Sequence, residues 1–507
     1  MTDIKEPNSF FAWLKWLRKI VVSLLSRFRR IYFLRFPLLT ALVLMLLPVI
    51  GLWTDFSELL ASLFVADSPG IFMISAVAFT TAWAILITSL LILSYGNRRF
   101  GTGVAPGEYE QDSPGFSIKP RHRWLTAVTA LPVVGAVVYK TAGESSQSGW
   151  WQALLWALFM AFLGLMISLF LFELALALQV LGNSKEKARQ LAGNLVGTGG
   201  STWMADKLVE SDPAQQPREQ MGGFFRKILG AGYYDKKEGN FFAGHGLAAV
   251  LFGISLLVFI VAGLLTERFT DIDMPALFFV VLLLMLLCWG LSGLSFLLDR
   301  YRVPVLLVLL AIAFFTSPNY YYAVENGKTL EPLTPEEVIV VGGANPRRII
   351  VVAAEGGGIQ AAAWTAQVLT GLQSQFKDKD KYEDFSKAVR VISSVSGGSV
   401  GALFFVNGYN SGTGAPDSDA LALIVEMAEG NSLDAIAKGL VYHDFIHTLI
   451  PFWEVGDDRG TALEKSLAVN CQKACDKFFP KNSGKACPIN CSMTGTLAGW
   501  TEDVKAG

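Results

Sequence analysis

The sequence predicts a multi-pass α-helical membrane region followed by an α/β domain, and three observations carry that prediction. The 507-residue chain is 52% hydrophobic with a mean hydropathy of +0.42, more apolar than an ordinary soluble protein. The excess is concentrated before about residue 320, where apolar runs of membrane-crossing length recur. From about residue 338 short apolar strands alternate with helical patterns, and two of those strands run into glycine-rich turns.

Residues 1–35 interleave Lys15, Arg18, Lys19, Arg27, Arg29, Arg30 and Arg35 with Trp, Leu, Phe and Val. The pattern fits an amphipathic helix on an anionic membrane surface, and equally a positive flank that orients the first span. No small-residue cleavage site follows the first apolar run, which therefore reads as an anchor. Within residues 36–322, seven spans are expected: 36–53, 70–95, 124–139, 150–181, 247–266, 274–298 and 304–322. The third is short and contains Pro132.

Connecting segments alternate in charge. Basic residues mark the N-terminus, the 96–123 loop, the long polar 183–243 loop and Arg300 with Arg302. Acidic residues mark the loops holding Asp55, Glu58 and Asp67, then Glu144, then Glu267, Asp271 and Asp273. By the positive-inside rule the basic segments are cytoplasmic. A crossing by 304–322, the favoured reading, then puts everything after it outside the cytoplasm, with Tyr320, Tyr321 and Tyr322 at the far interface; a segment that only dips into the bilayer leaves the second region cytoplasmic. Glu173 lies far enough along its apolar segment to sit at an interface. No internal repeat or inverted pair of broken spans points to a transporter. A formal net charge of −1 gives no reason to expect a nucleic-acid partner.

The second region reads as strand (338–341), strand (349–354), helix (361–375), strand (389–395) and helix (from 398). This order implies a mainly parallel sheet, with functional residues at the C-terminal ends of its strands. Both glycine-rich turns fall there. The first is Glu355-Gly356-Gly357-Gly358, and the second is Ser394-Val395-Ser396-Gly397-Gly398. A serine on a strained strand-to-helix turn presents its hydroxyl for nucleophilic attack. Gly356, Gly357 and Gly358 offer backbone N–H groups to an oxyanion at a helix start. The GxSxG pattern is met imperfectly around Ser396, where Ser394 replaces the first glycine, and formally around Ser399. Ser396 is the expected nucleophile because it sits at the strand–helix junction, flanked by the small residues Ser394, Gly397 and Gly398. Ser399 would lie inside the helix. The same glycines could cradle a phosphate, but neither a P-loop Lys-Ser or Lys-Thr nor a GxGxxG spacing accompanies them.

Glu355 through Ala361, together with Ser396-Gly397-Gly398, resembles the patatin-like phospholipases. The stretch from His443-Asp444-Phe445 to Asp458-Arg459-Gly460-Thr461-Ala462-Leu463-Glu464 is similar to bacterial membrane-anchored members, and the likeness covers residues 347–507. It implies a three-layer α/β hydrolase domain over 338–507 with a serine–aspartate dyad and membrane lipids as substrate, with no metal or cofactor. The likeness says nothing independent about the spans; together with them it leads to the expectation of an integral protein of a bacterial inner membrane. The family's glycine motif reads DGGGxRG; here Glu355 stands for its aspartate, Gln360 for its arginine and Ala361 for its last glycine. The family's base lies in a DGG or DGA turn. No Asp-Gly pair follows Ser396, so the domain is expected to be incomplete at its C-terminus and this chain alone to show little or no activity. The rival expectation is an inactive membrane sensor or scaffold. The oligomeric state is not legible.

His443 and His447, four apart, share a helix face and could bind zinc or serve Ser396, although the metalloprotease pattern is broken by Asp444. Cys471, Cys475, Cys487 and Cys491 form two C-x3-C pairs, compatible with disulfides outside the cytoplasm, with zinc, or with incidental thiols.

Overall fold

The structure is a computed structural model that describes residues 9–53, 63–100, 116–143, 149–180, 232–233, 242, 244–268, 274–301, 303–316, 349–376, 385–410, 415–450, 458–480, 484–489 and 491. Two compact units make up the chain: Met1–Ser317 with Thr448–Pro451, and Pro318–His447 with Phe452–Gly507.

The first unit is helical: α1 (Ser9–Phe33), α2 (Arg35–Trp53), α3 (Ser68–Phe100), α4 (Pro120–Gly143), α5 (Trp150–Val180), α6 (His245–Arg268), α7 (Ala276–Leu298) and α8 (Val305–Thr316). Helices α2 to α7 are each long and apolar enough to cross a membrane, so the chain is a membrane protein. Pro48 in α2 and Pro132 in α4 lie within unbroken helices, as apolar surroundings and neighbouring helices permit. The expected seventh span is described only over its first part. Helix α8 has 12 residues, about 18 Å at 1.5 Å per residue against a hydrocarbon core of about 30 Å. The rest of 304–322, apart from residue 316 and those before it, lies outside the described residues, as do most of the 183–243 loop and the expected strand at 338–341.

Helix α3 is the centre of this unit and packs against α4, α5 and α7. Asp67 caps it, its Oδ1 accepting from the Gly70 N–H at 2.8 Å. Lipid gives no hydrophobic drive for helices to associate, so small residues and matched polar groups set the seams. Along α5, Gly164, Ser168 and Phe172 face α3 at one-turn intervals. A Cβ on Gly164 would lie 2.8 Å from Ala76 N and Phe72 O, so the backbones nearly touch. Thr80 donates to Ser168 Oγ at 3.2 Å, and Trp83 stacks on Phe172 at 4.2 Å.

One end of the bundle is rich in arginine. Arg35 grips buried Asp299 through two bonds of 2.9 and 3.0 Å, and Arg99 caps α7 by donating to Phe296 O and Leu297 O at 3.0 and 2.7 Å. At the other end Trp156 Nε1 donates to Ser68 Oγ at 2.7 Å, and Thr141 Oγ1 bonds the Ala66 backbone at 3.3 Å. Successive helices therefore alternate in direction.

In the second unit, β1 (Ile350–Ala354) and β2 (Val389–Ser394) pair in parallel, joined through α9 (Gly358–Phe376) and the short α10 (Phe385–Ala388). Then follow α11 (Gly397–Asn407), the antiparallel pair β3 (Tyr409–Asn410) and β4 (Ala415–Pro416), α12 (Ser418–Glu429) and α13 (Leu433–Gly439). A π-helical turn (Leu440–Asp444), α14 (Phe445–Leu449), whose last two residues are counted with the first unit, and α15 (Arg459–Phe478) complete it. The unit is mainly helical. Where the sequence predicts a mainly parallel sheet, the described residues contain two parallel strands and a two-residue antiparallel pair.

The core gathers Ala362, Leu369, Phe404, Phe405, Leu423 and Ile424, with Ile350, Val352 and Val389 packed against it from the strands. The opposite face of the strand pair is open: Val351 and Val391 are exposed. Apolar residues on both faces of a strand are the composition of a sheet covered on both sides.

Candidate functional site

The site is built where β1 and β2 end side by side. Ala354 pairs with Ser394, and one step further the Val395 N–H donates to Ala354 O at 3.1 Å. A parallel register carries both chains off the sheet at the same end, so the two glycine turns become neighbours. Helices α9 and α11 leave these turns and pack on each other.

Ser396 stands at the junction of β2 and α11 with φ 52° and ψ −123°, the only non-glycine residue with positive φ among the described residues. An L-residue pays a steric penalty there, on the order of 1–3 kcal/mol, and holds the conformation only when its surroundings over-determine it. Those surroundings are glycine. A Cβ on Gly398 would lie 2.6 Å from Glu355 O and 2.7 Å from Ala354 O, and one on Gly397 would collide with Gly358 O. Gly356 sits directly against the serine: its Cβ would be 3.2 Å from Ser396 Cβ and 3.8 Å from Oγ. Gly358 itself has φ 63°.

The predicted residues thus meet. Ser396, Gly356 and Gly357 are exposed, Gly397 and Gly398 are buried under the turn, and Ser394 is half-buried at the strand end. Gly357 and Gly358 precede or begin α9, where the first N–H groups have no intrahelical acceptor. Such a group of donors beside an exposed hydroxyl suits a developing anion. Ser399 lies within α11, its N–H donating to Ser396 O at 3.0 Å.

Sequence reasoning missed Gly401. A Cβ there would run into Ala362 O and approach Thr365 Cβ to 2.9 Å, so this glycine lets α11 lie on α9. The formal GxSxG match around Ser399 therefore has a packing explanation. Nothing local signals it, because the contact is with another helix.

Among the described residues, no carboxylate or imidazole bonds the Ser396 hydroxyl. Asp419 pairs with Lys485 at 3.5 Å, Asp434 accepts from Asn431 at 2.8 Å and Asp476 accepts from Gln472 at 2.9 Å. Asp458 caps α15, accepting from the Thr461 N–H at 2.7 Å. Asp444 lies 3.3 Å from both His443 Nδ1 and Arg459 Nη1. Asp457 and Asp503 lie outside the described residues. His443 and His447 do share a face, as their spacing predicts, and their rings stack with centroids 5.7 Å apart.

The four clustered cysteines form two nested disulfides, Cys471–Cys491 and Cys475–Cys487. They staple the second half of α15 to the segment carrying Ile489, whose side chain is buried in the core.

No family model, curated protein or solved structure matches the chain.

Proposed function

We propose that this protein is a membrane-anchored serine acyl hydrolase of phospholipase or lipase type, its second unit belonging to a patatin-like three-layer α/β domain. One observation carries the reading: the sole described non-glycine residue at positive φ is a serine ending a strand beside a triple glycine. Ser396 Oγ attacks the ester carbonyl carbon while a base accepts its proton. The carbonyl oxygen takes up negative charge beside the N–H groups of Gly357 and Gly358, while Gly356 leaves the approach clear. Collapse expels the alcohol and leaves an acyl-serine, which water then hydrolyses. The family resemblance implies an aspartate as base. A covalently attached membrane unit suits a lipid substrate by keeping its effective concentration high.

A fluorophosphonate probe tests the reading. The folded chain in detergent is expected to label slowly through its preorganised hydroxyl even where it turns over little or no lipid, Ser396→Ala to abolish that labelling, and Ser399→Ala to leave it in place. Labelling that survives Ser396→Ala removes the nucleophile assignment. A folded chain that never labels favours the inactive sensor or scaffold, for which Glu355 and Gln360 speak because they replace the family's aspartate and arginine.

We further place the second unit outside the cytoplasm of a bacterial inner membrane, with 304–322 completing a seventh crossing. Two disulfides suit an oxidising compartment. In intact spheroplasts, a Cys471→Ser chain should expose the Cys491 thiol to a membrane-impermeant maleimide. Reaction only after lysis would put the unit on the other side.

A further inference from the structure

We propose that α1 lies on the anionic lipid leaflet at the arginine-rich end of the helical bundle, its apolar face among acyl chains and its basic residues at lipid phosphates. On this 25-residue helix Ile20, Val21, Leu24, Leu25, Phe28, Ile31 and Tyr32 are all exposed. At 100° per residue they fall within an arc of about 140°, one continuous stripe. Phe28 and Leu25 are 68% and 62% exposed, so the bundle does not cover the stripe. Lys19 and Arg30 lie on the opposite face, and Arg18, Arg27 and Arg29 lie along its two edges. Edge arginines can bury their stems beside the apolar stripe and keep their charge at headgroup level.

The helix is too charged to cross a bilayer, and its C-terminal end is tied to the bundle at a defined place. Arg29 donates to Phe100 O at 2.6 Å, and Phe33 stacks on Phe100 at 4.1 Å. Phe100 ends α3, next to Arg99 and therefore at the end where Arg35 holds Asp299. After Leu34 the chain enters α2, a membrane-length helix. The stripe thus begins where the bundle meets the interface, and its basic edges complement anionic headgroups rather than a neutral surface.

The test is a label scan on the full chain. Single cysteines replace Lys19, Ser23, Leu24, Phe28 and Ile31, are labelled with an environment-sensitive fluorophore, and are read in vesicles containing about 30 mol % phosphatidylglycerol. Labels at Leu24→Cys, Phe28→Cys and Ile31→Cys are expected to be quenched by a neutral water-soluble nitroxide at least about threefold less than those at Lys19→Cys and Ser23→Cys. In wholly phosphatidylcholine vesicles that contrast is expected to shrink by about half or more. Equal quenching around the helix overturns the proposal, as does a contrast unchanged in phosphatidylcholine.

Discussion

The α3–α5 seam and the Ser396 turn both depend on a missing Cβ, and they use it for opposite ends. At the seam a single glycine, Gly164, brings one regular helix onto the backbone of another. Every residue there keeps ordinary helical geometry, and the gain is close packing where lipid supplies no hydrophobic drive. At the turn, glycines on both strand ends interlock so that a neighbouring serine can hold a backbone conformation it would otherwise leave. A side chain at the seam separates two helices. A side chain at the turn removes the geometry of one hydroxyl.

That difference predicts a graded series. Gly398→Val should have the largest effect, because the new side chain meets two strand-end carbonyls that cannot move. We expect loss of fluorophosphonate labelling and destabilisation of the second unit by about 3 kcal/mol, measured by limited proteolysis. A wild-type labelling rate in this variant would show that the close approach is dispensable. Gly164→Leu should be smaller, about 1–3 kcal/mol in thermal unfolding of the detergent-solubilised chain, with labelling of the surviving fold unchanged. If Gly164→Leu abolishes labelling in folded protein, the seam and the turn are coupled rather than independent.

Much of this was legible in the sequence. Apolar runs located α2 to α7, although the 124–139 pattern understated α4, which continues past Pro132 to Gly143. Hydropathy reports composition per residue, whereas helix ends depend on caps such as Asp67 and on what surrounds the last turn. Of the 304–322 run, the described residues show helix from Val305 to Thr316, and 317–322 lie outside them. Between Ser396 and Ser399 the glycine pattern alone was ambiguous; the end of the apolar strand favoured Ser396, which is where the positive φ falls. The role of Gly401 was out of reach, because it answers to Ala362 and Thr365 on another helix.

The sequence by itself determined the membrane helices, the two strand ends and the residue types at the Ser396 turn. Those properties follow from hydropathy and from local steric limits that each residue carries with it. Only the tertiary structure decided that the two glycine turns lie side by side, that four cysteines pair as nested disulfides, and that Gly164 marks a helix seam. Each of these depends on which remote backbone comes within a few ångströms, and no local pattern encodes that distance.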